Sequence, residues 1–403
     1  MMKKSEPKHS EPKKSEPKHS DFRNSSLTRR EAMGLLGAGA ALAVAPRVAF
    51  GAEPTFPKGA IIRTILKDIP PDQLTSGATL FHEHLSLAPD FLPKWMAASR
   101  AMNAARGGGR AGGAAPAASS TAASASPGAP PATPAPFFMQ DVDLMTAELV
   151  TAKNEGVACI VDGGHPDMGR DFNFLKQIST KSGMPIVSGA GFYTQPFYPE
   201  EIATMSEDDI VQAILKQVDA DPIGALGEIG SWDEISDTER KVFRAVGRAQ
   251  AETNLGVFTH TGIPGKSAME QLDLLEKGGA KPNRIVIGHV GNLVDPKVEV
   301  HKELCKRGAF IGFDRQGGAG DARQVPMVMA LIEAGYADHL MFSSDLASAA
   351  QIKKNGGGGY AQTLTVFVPK VRAAGATDDV LHTILVDNPR RFLAFVPKKP
   401  RKV

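Results

Sequence analysis

Two histidines stand two residues apart in Phe81-His82-Glu83-His84-Leu85, and four more groups able to bind a metal follow at wide intervals: Glu228, His260, His289 and Asp345. Imidazole nitrogens and carboxylate oxygens together suit a divalent ion, zinc first, with cobalt, manganese or iron fitting the same donors. A His-x-His pair on an extended strand sends both rings the same way, because strand side chains alternate. One carboxylate among the imidazoles could bridge two ions; neighbouring cations repel strongly unless an anion lies between them. A lone histidine at a strand end is ordinarily structural. Six such groups in one recurring position point to a metal site instead.

That position is the carboxyl end of an apolar run. Runs over residues 78–81, 157–161, 185–188, 223–227, 257–259, 285–288, 310–313 and 340–343 alternate with helix-like stretches. The stretches cover 172–181, 208–219, 237–254, 268–277, 298–307 and 325–334, and a last helix is expected over about 361–373. Continuous apolar strands separated by helices imply a parallel sheet covered on both faces. Eight repeats of about thirty residues have the size of a (β/α)8 or TIM barrel, an α/β fold whose chemistry gathers at the carboxyl ends of its strands. A doubly wound open sheet is the alternative, but no Gly-x-Gly-x-x-Gly turn opens its first crossover. His82 and His84 would end the first strand, Glu228 the fourth, His260 the fifth, His289 the sixth and Asp345 the eighth. The barrel would thus gather groups spread over about 260 positions onto one face. His165, after the second strand, is read as a loop residue, with substrate contact as the alternative. His301, His339 and His382 are read as surface or structural.

The chain has 403 residues, 42% hydrophobic and 22% charged, with a formal net charge of +2. Much of the basic excess sits at the two ends, so the body offers no electrostatic footprint for nucleic acid. Cys159 and Cys305 read as buried small hydrophobes rather than a disulfide. Residues 1–27 open on an imperfect repeat of the kind Lys-Lys-Ser-Glu-Pro, too charged and proline-rich to bury a core, and read as disordered. Residues 28–52 place Arg29-Arg30 before a short stretch of Ala, Gly, Leu and Val, with small residues at Gly51-Ala52. This has the form of a twin-arginine export signal, too short and small-sided for a stable membrane span. The barrel, residues 53–403, is then expected in the periplasm or outside the cell. A stretch of Ala, Gly, Ser and Pro over about 97–136 reads as a low-complexity insertion, because the strand–helix pattern continues on both sides.

From about Ile62 to the end the chain resembles the phosphotriesterase family of the amidohydrolase superfamily. The resemblance rests on Ile61-Ile62-Arg63-Thr64, the His82-Glu83-His84 string, Gly169-Arg170-Asp171, Gly227-Glu228-Ile229-Gly230, Thr259-His260-Thr261-Gly262, Gly288-His289-Val290-Gly291, Ser344-Asp345 and Asn388-Pro389-Arg390-Arg391-Phe392-Leu393. It implies that His82, His84 and Asp345 hold one buried metal and His260 and His289 a more exposed one. Glu228 would bridge them where the best-known members carry a carboxylated lysine. It also implies metal-dependent hydrolysis by a hydroxide shared between the two ions, since bound metal lowers the pKa of water from 15.7 towards about 7. Asp345 would accept that proton and pass it to the leaving group. Asp314-Arg315 and Tyr193 resemble residues of the lactonase branch, where they line the substrate pocket. A lactone or carboxylic ester is therefore expected as substrate, with phosphotriester cleavage as a side activity. The alternatives are phosphotriester hydrolysis as the main role, amide hydrolysis, or a barrel that binds metal and ligand without turnover. Relatives of this kind are often dimers, so the resemblance also implies a homodimer.

Overall fold

The computed structural model describes residues 53–105, 136–262 and 264–398. The charged repeat, the stretch expected to be an export signal and the greater part of the insertion lie outside the described residues. Eight parallel strands carry the fold: β1 (Ala78–Glu83), β2 (Val157–Asp162), β3 (Ile186–Ser188), β4 (Ala225–Ser231), β5 (Gly256–Thr261), β6 (Ile285–Ile287), β7 (Phe310–Phe313) and β8 (Leu340–Phe342). All eight expected runs are strands. β1 to β3 form one ladder and β4 to β8 another. Hydrogen bonds join the two ladders into a closed (β/α)8 barrel. β3 meets β4 through Gly224 N to Ser188 O (3.0 Å) and Ala190 N to Ala225 O (3.2 Å). β8 meets β1 through Asp345 N to His82 O (3.2 Å) and through His82 N to Ser343 Oγ (3.1 Å).

Strand alternation sorts the side chains. Phe81, Cys159, Val187, Ala225, Phe258, Val286, Phe310 and Met341, one from each of the eight strands, pack in a single buried cluster. That is the filled centre of a barrel. Leu80, Ile160, Ile186, Leu226, Val257, Ile285, Ile311 and Leu340 pack instead with apolar residues of the surrounding helices. Fully burying each such side chain stabilises by about 1.5–3 kcal/mol.

The helices are α1 (Phe91–Ala105), α2 (Val142–Asn154), α3 (Phe172–Ser182), α4 (Glu207–Ala220), α5 (Asp237–Thr253), α6 (Ala268–Lys277), α7 (Glu299–Lys306) and α8 (Asp321–Glu333). Local chemistry fixes several of their ends. Asp171 accepts from the Asn173 and Phe174 amides to start α3, and Ser206 and Ser236 form reciprocal capping boxes at α4 and α5. α1 corrects the expectation of low complexity from residue 97, because its Ala-rich sequence continues as helix to Ala105. The last helix is also modified: Thr363–Phe367 is a π-helical turn leading into Val368–Ala373. Cys159 and Cys305 are buried and free, and burial pushes the Cys159 thiol up to about 12. Among the described residues no helix is long and apolar enough to cross a membrane.

Candidate metal centre

The strand ends aim the six expected residues at one point, with Glu228 of β4 in the middle. Its Oε1 lies 2.6 Å from His260 Nδ1, 3.2 Å from His82 Nε2 and 3.3 Å from His289 Nε2. Its Oε2 lies 3.4 Å from His84 Nε2. Asp345 reaches in from the β8 end, with Oδ1 3.1 Å from His84 Nε2 and Oδ2 3.7 Å from His289 Nε2. His289 (φ 60°) and Asp345 (φ 52°) both adopt the left-handed backbone region, where side chains other than glycine are uncommon. Each is pinned there: the His289 amide donates to Asp314 Oδ1 at 2.8 Å and the Asp345 amide to His82 O.

The donor set fits metal. His82 Nε2 and Glu228 Oε2 are buried without a hydrogen-bond partner among the described residues. His82, His84 and Glu228 form one triad, and Glu228, His260 and His289 another, with one ligand atom per residue lying within 4.8 Å of the others in each. A buried polar atom left unpaired costs about 1–3 kcal/mol. A cation coordinated by both triads relieves that cost.

Without a cation, the carboxylates act on the rings. Burial opposes charge on His84, yet hydrogen bonds to Asp345 and Glu228 push it up to about 9. Burial likewise opposes charge on His82, but Glu228 and Asp314 raise it well above its ordinary value. His260 goes the other way, down to about 4, because burial and the neighbouring His289 outweigh Glu228. Burial would raise Asp345, but His289, His84 and Arg315 hold it well below the usual carboxylate range.

Asp314 and Arg315 were expected together in the substrate pocket, and the structure separates them. Asp314 is buried, with Oδ2 2.9 Å from His82 Nδ1 and Oδ1 2.9 Å from His289 Nδ1. It sits behind the two rings and fixes which nitrogen each turns inward. Burial would raise its carboxyl, but His289 and His82 hold it at about 2. Gly288 and Gly312 leave it room: a Cβ on either would lie 3.1 or 3.3 Å from its Oδ2. Arg315 does reach the cluster, its Nε donating to Asp345 Oδ2 at 3.0 Å.

Tyr193 lies where expected, its hydroxyl 3.1 Å from His260 Nδ1. Burial and the nearby Glu228 push its phenol well above its usual value, so the hydroxyl stays a donor. Trp95 of α1 donates from its indole nitrogen to the same hydroxyl at 3.1 Å and stacks on Trp232, just past β4, at 6.0 Å between ring centroids. The sequence carried no signal for this aromatic wall, since α1 was not expected. Glu83, between the paired histidines, points away from them. It accepts from Ser343 Oγ and from the Ser344 and Leu346 amides at 2.7 to 2.9 Å. Strand alternation alone could have singled it out.

Residues 61–393 match the model of the phosphotriesterase family. The chain belongs to that family. Its relatives include the N-acetyltaurine hydrolase of Pongo abelii, 30% identical over 275 residues, covering 64% of this chain and 78% of that protein. The N-acetyltaurine hydrolase of Rattus norvegicus is 27% identical over 358 residues, covering 83% of this chain and 98% of that one. Among solved structures, a resiniferatoxin-binding protein from Rhodobacter sphaeroides is 30% identical with a TM-score of 0.68, covering 83% of this chain and 95% of that one. The phosphotriesterase homology protein from Escherichia coli, with phosphate in its active site, is 25% identical with a TM-score of 0.64, covering 79% and 99%. The chain is thus a phosphotriesterase-family hydrolase whose side-chain cluster can bind metal.

Proposed function

We propose that this protein hydrolyses a carboxylic acyl bond, a lactone or ester first, using two divalent ions, zinc above others, shared through Glu228. The observation that carries the reading is the position of Glu228, with one oxygen facing His82, His260 and His289 and the other facing His84. His82, His84 and Asp345 would hold one ion and His260 and His289 the other. When bound, such ions supply a polarised acyl oxygen and an acidified water. The chain's own groups do the rest. Asp345 is the carboxylate that would take a proton from attacking water and return it to the leaving group. Arg315 Nε donates to Asp345 Oδ2 and fixes the carboxylate with Oδ1 toward His84. Tyr193 Oη is a donor beside His260, suited to orient a substrate oxygen. Trp95 and Trp232 supply an apolar wall for an acyl or leaving group.

A second reading, hydrolysis of a small N-acyl amide, is favoured by the likeness to N-acetyltaurine hydrolases. The twin-arginine-type sequence supports export of the folded, metal-loaded protein to the periplasm or beyond. One experiment tests the reading: metal-loaded protein is assayed against aliphatic lactones, an aryl ester, N-acetyl amides and an aryl dialkyl phosphate, with metal counted in the same sample. Two ions per chain with lactone or ester cleaved best supports the first reading. Fastest cleavage of the N-acetyl amide supports the second, and phosphotriester as the best substrate overturns both.

A further inference from the structure

Glu228 stands at a break in its own strand. The β4–β5 ladder shifts register between Leu226 and Ile229, so the peptide groups of Gly227 and Glu228 leave the sheet pairing. Buried main-chain groups outside a ladder must find partners elsewhere. The Glu228 amide finds Gly163 O at 3.2 Å. Its carbonyl takes the Nε2 of His165 at 2.8 Å. The other ring nitrogen, Nδ1, lies 2.6 Å from Asp167 Oδ1. The ring thus spans a carboxylate oxygen on one side and a main-chain carbonyl on the other. His165 is completely buried and belongs to none of the cation-sized triads.

The loop that carries it is held firmly. A short 3-10 turn, Pro166–Met168, ends at Gly169 with φ 82°. A Cβ on Gly169 would fall 2.6 Å from Ala88 Cβ. Asp167 Oδ2 accepts from the Tyr193 amide at 2.8 Å. One His–Asp pair thereby fastens the main chain of Glu228 and that of Tyr193, whose hydroxyl touches His260.

We infer that His165 is a positioning residue: by closing the carbonyl that the broken ladder leaves open, it holds Glu228 in the orientation needed to share two cations. The inference rests on the bridging reading of Glu228 proposed above. A residue that orients a ligand in this way typically contributes 10–100-fold in metal affinity.

The two ring nitrogens can be tested separately. His165→Gln places an amide nitrogen where Nε2 stands and keeps the bond to Glu228. His165→Asn places one where Nδ1 stands, keeping Asp167 and losing Glu228. Zn2+ affinity of the full-length metal-free proteins is measured by competition with a chromophoric chelator, alongside thermal melting. The Gln variant should bind within about 3-fold of the wild type and the Asn variant at least about 10-fold more weakly for one of the two ions. Equal affinities for the two variants, or an Asn variant that melts earlier but binds Zn2+ as the wild type does, overturn the inference. Should the Asn variant fail to fold, a Gln variant that binds more than about 10-fold more weakly also overturns it. Glu228→Ala is measured in parallel: two ions retained there would sink the bridging reading itself, whichever way the His165 pair falls.

Discussion

His82 Nδ1 lies 2.9 Å from Asp314 Oδ2, and that contact settles which face of the ring is offered to a cation. The Nδ1–H is given to the carboxylate, so Nε2 is the nitrogen turned inward, the one a cation would take on displacing its proton. The same carboxylate does this for His289. Asp314→Ala should therefore free two rings at once. We expect metal affinity to fall about 10–100-fold and activity with it, while Asp314→Asn falls less. Metal analysis after dialysis checks the first part, and unchanged occupancy in the Ala variant would contradict it.

Glu228→Ala should lose at least one ion per chain, because no other carboxylate among the described residues has oxygens facing both His84 and His260. Metal per chain after exhaustive dialysis is the readout. Two full ions in the variant would remove Glu228 from the centre of the site.

Metal loading should expel protons. In the metal-free protein burial works against a charged His84, but Asp345 and Glu228 win and push it up to about 9. The folded value is raised, so this ring stabilises the metal-free fold fully below its ordinary 6.5 and stops doing so as pH rises through about 9. Coordination needs the ring neutral, so ion affinity should climb with pH over the same window. Zn2+ titration of metal-free protein in weak buffer near neutral pH should acidify the solution. A titration that binds metal with no proton release would refute the account.

Gly189→Ala should damage the centre without touching a ligand. A Cβ there would sit 1.7 Å from the Gly227 carbonyl oxygen. The peptide that must move is the one joined to Glu228. Such overpacking costs about 1–3 kcal/mol, visible as a lower melting temperature, and metal occupancy should drop in step. A variant that melts and loads like the wild type would show that the neighbouring strand yields freely.

Barrel and convergence of these side chains were both legible for one reason: His82, Glu228, His260, His289 and Asp345 each close an apolar run, and the runs are strands. Position in the fold and chemical role coincide at strand ends. Asp314-Arg315 looks in sequence like one pocket pair. Neighbours on extended chain face opposite ways, so one went behind the rings and the other to Asp345. His165 escaped because its partner is a main-chain carbonyl, which no pattern of side chains announces. Trp95 escaped because Ala- and Ser-rich sequence resembles a linker, and only packing shows that it runs on as α1.

The seam where β8 meets β1 passes through the cluster itself, joining residues 261 positions apart through His82 N and Ser343 Oγ. A growing chain therefore has no such centre until its last strand has left the ribosome. Every earlier stage presents the histidines and Glu228 without Asp345 beside them. A chain cut short before Leu340 would lack both Asp345 and the strand that closes the barrel around the other five groups.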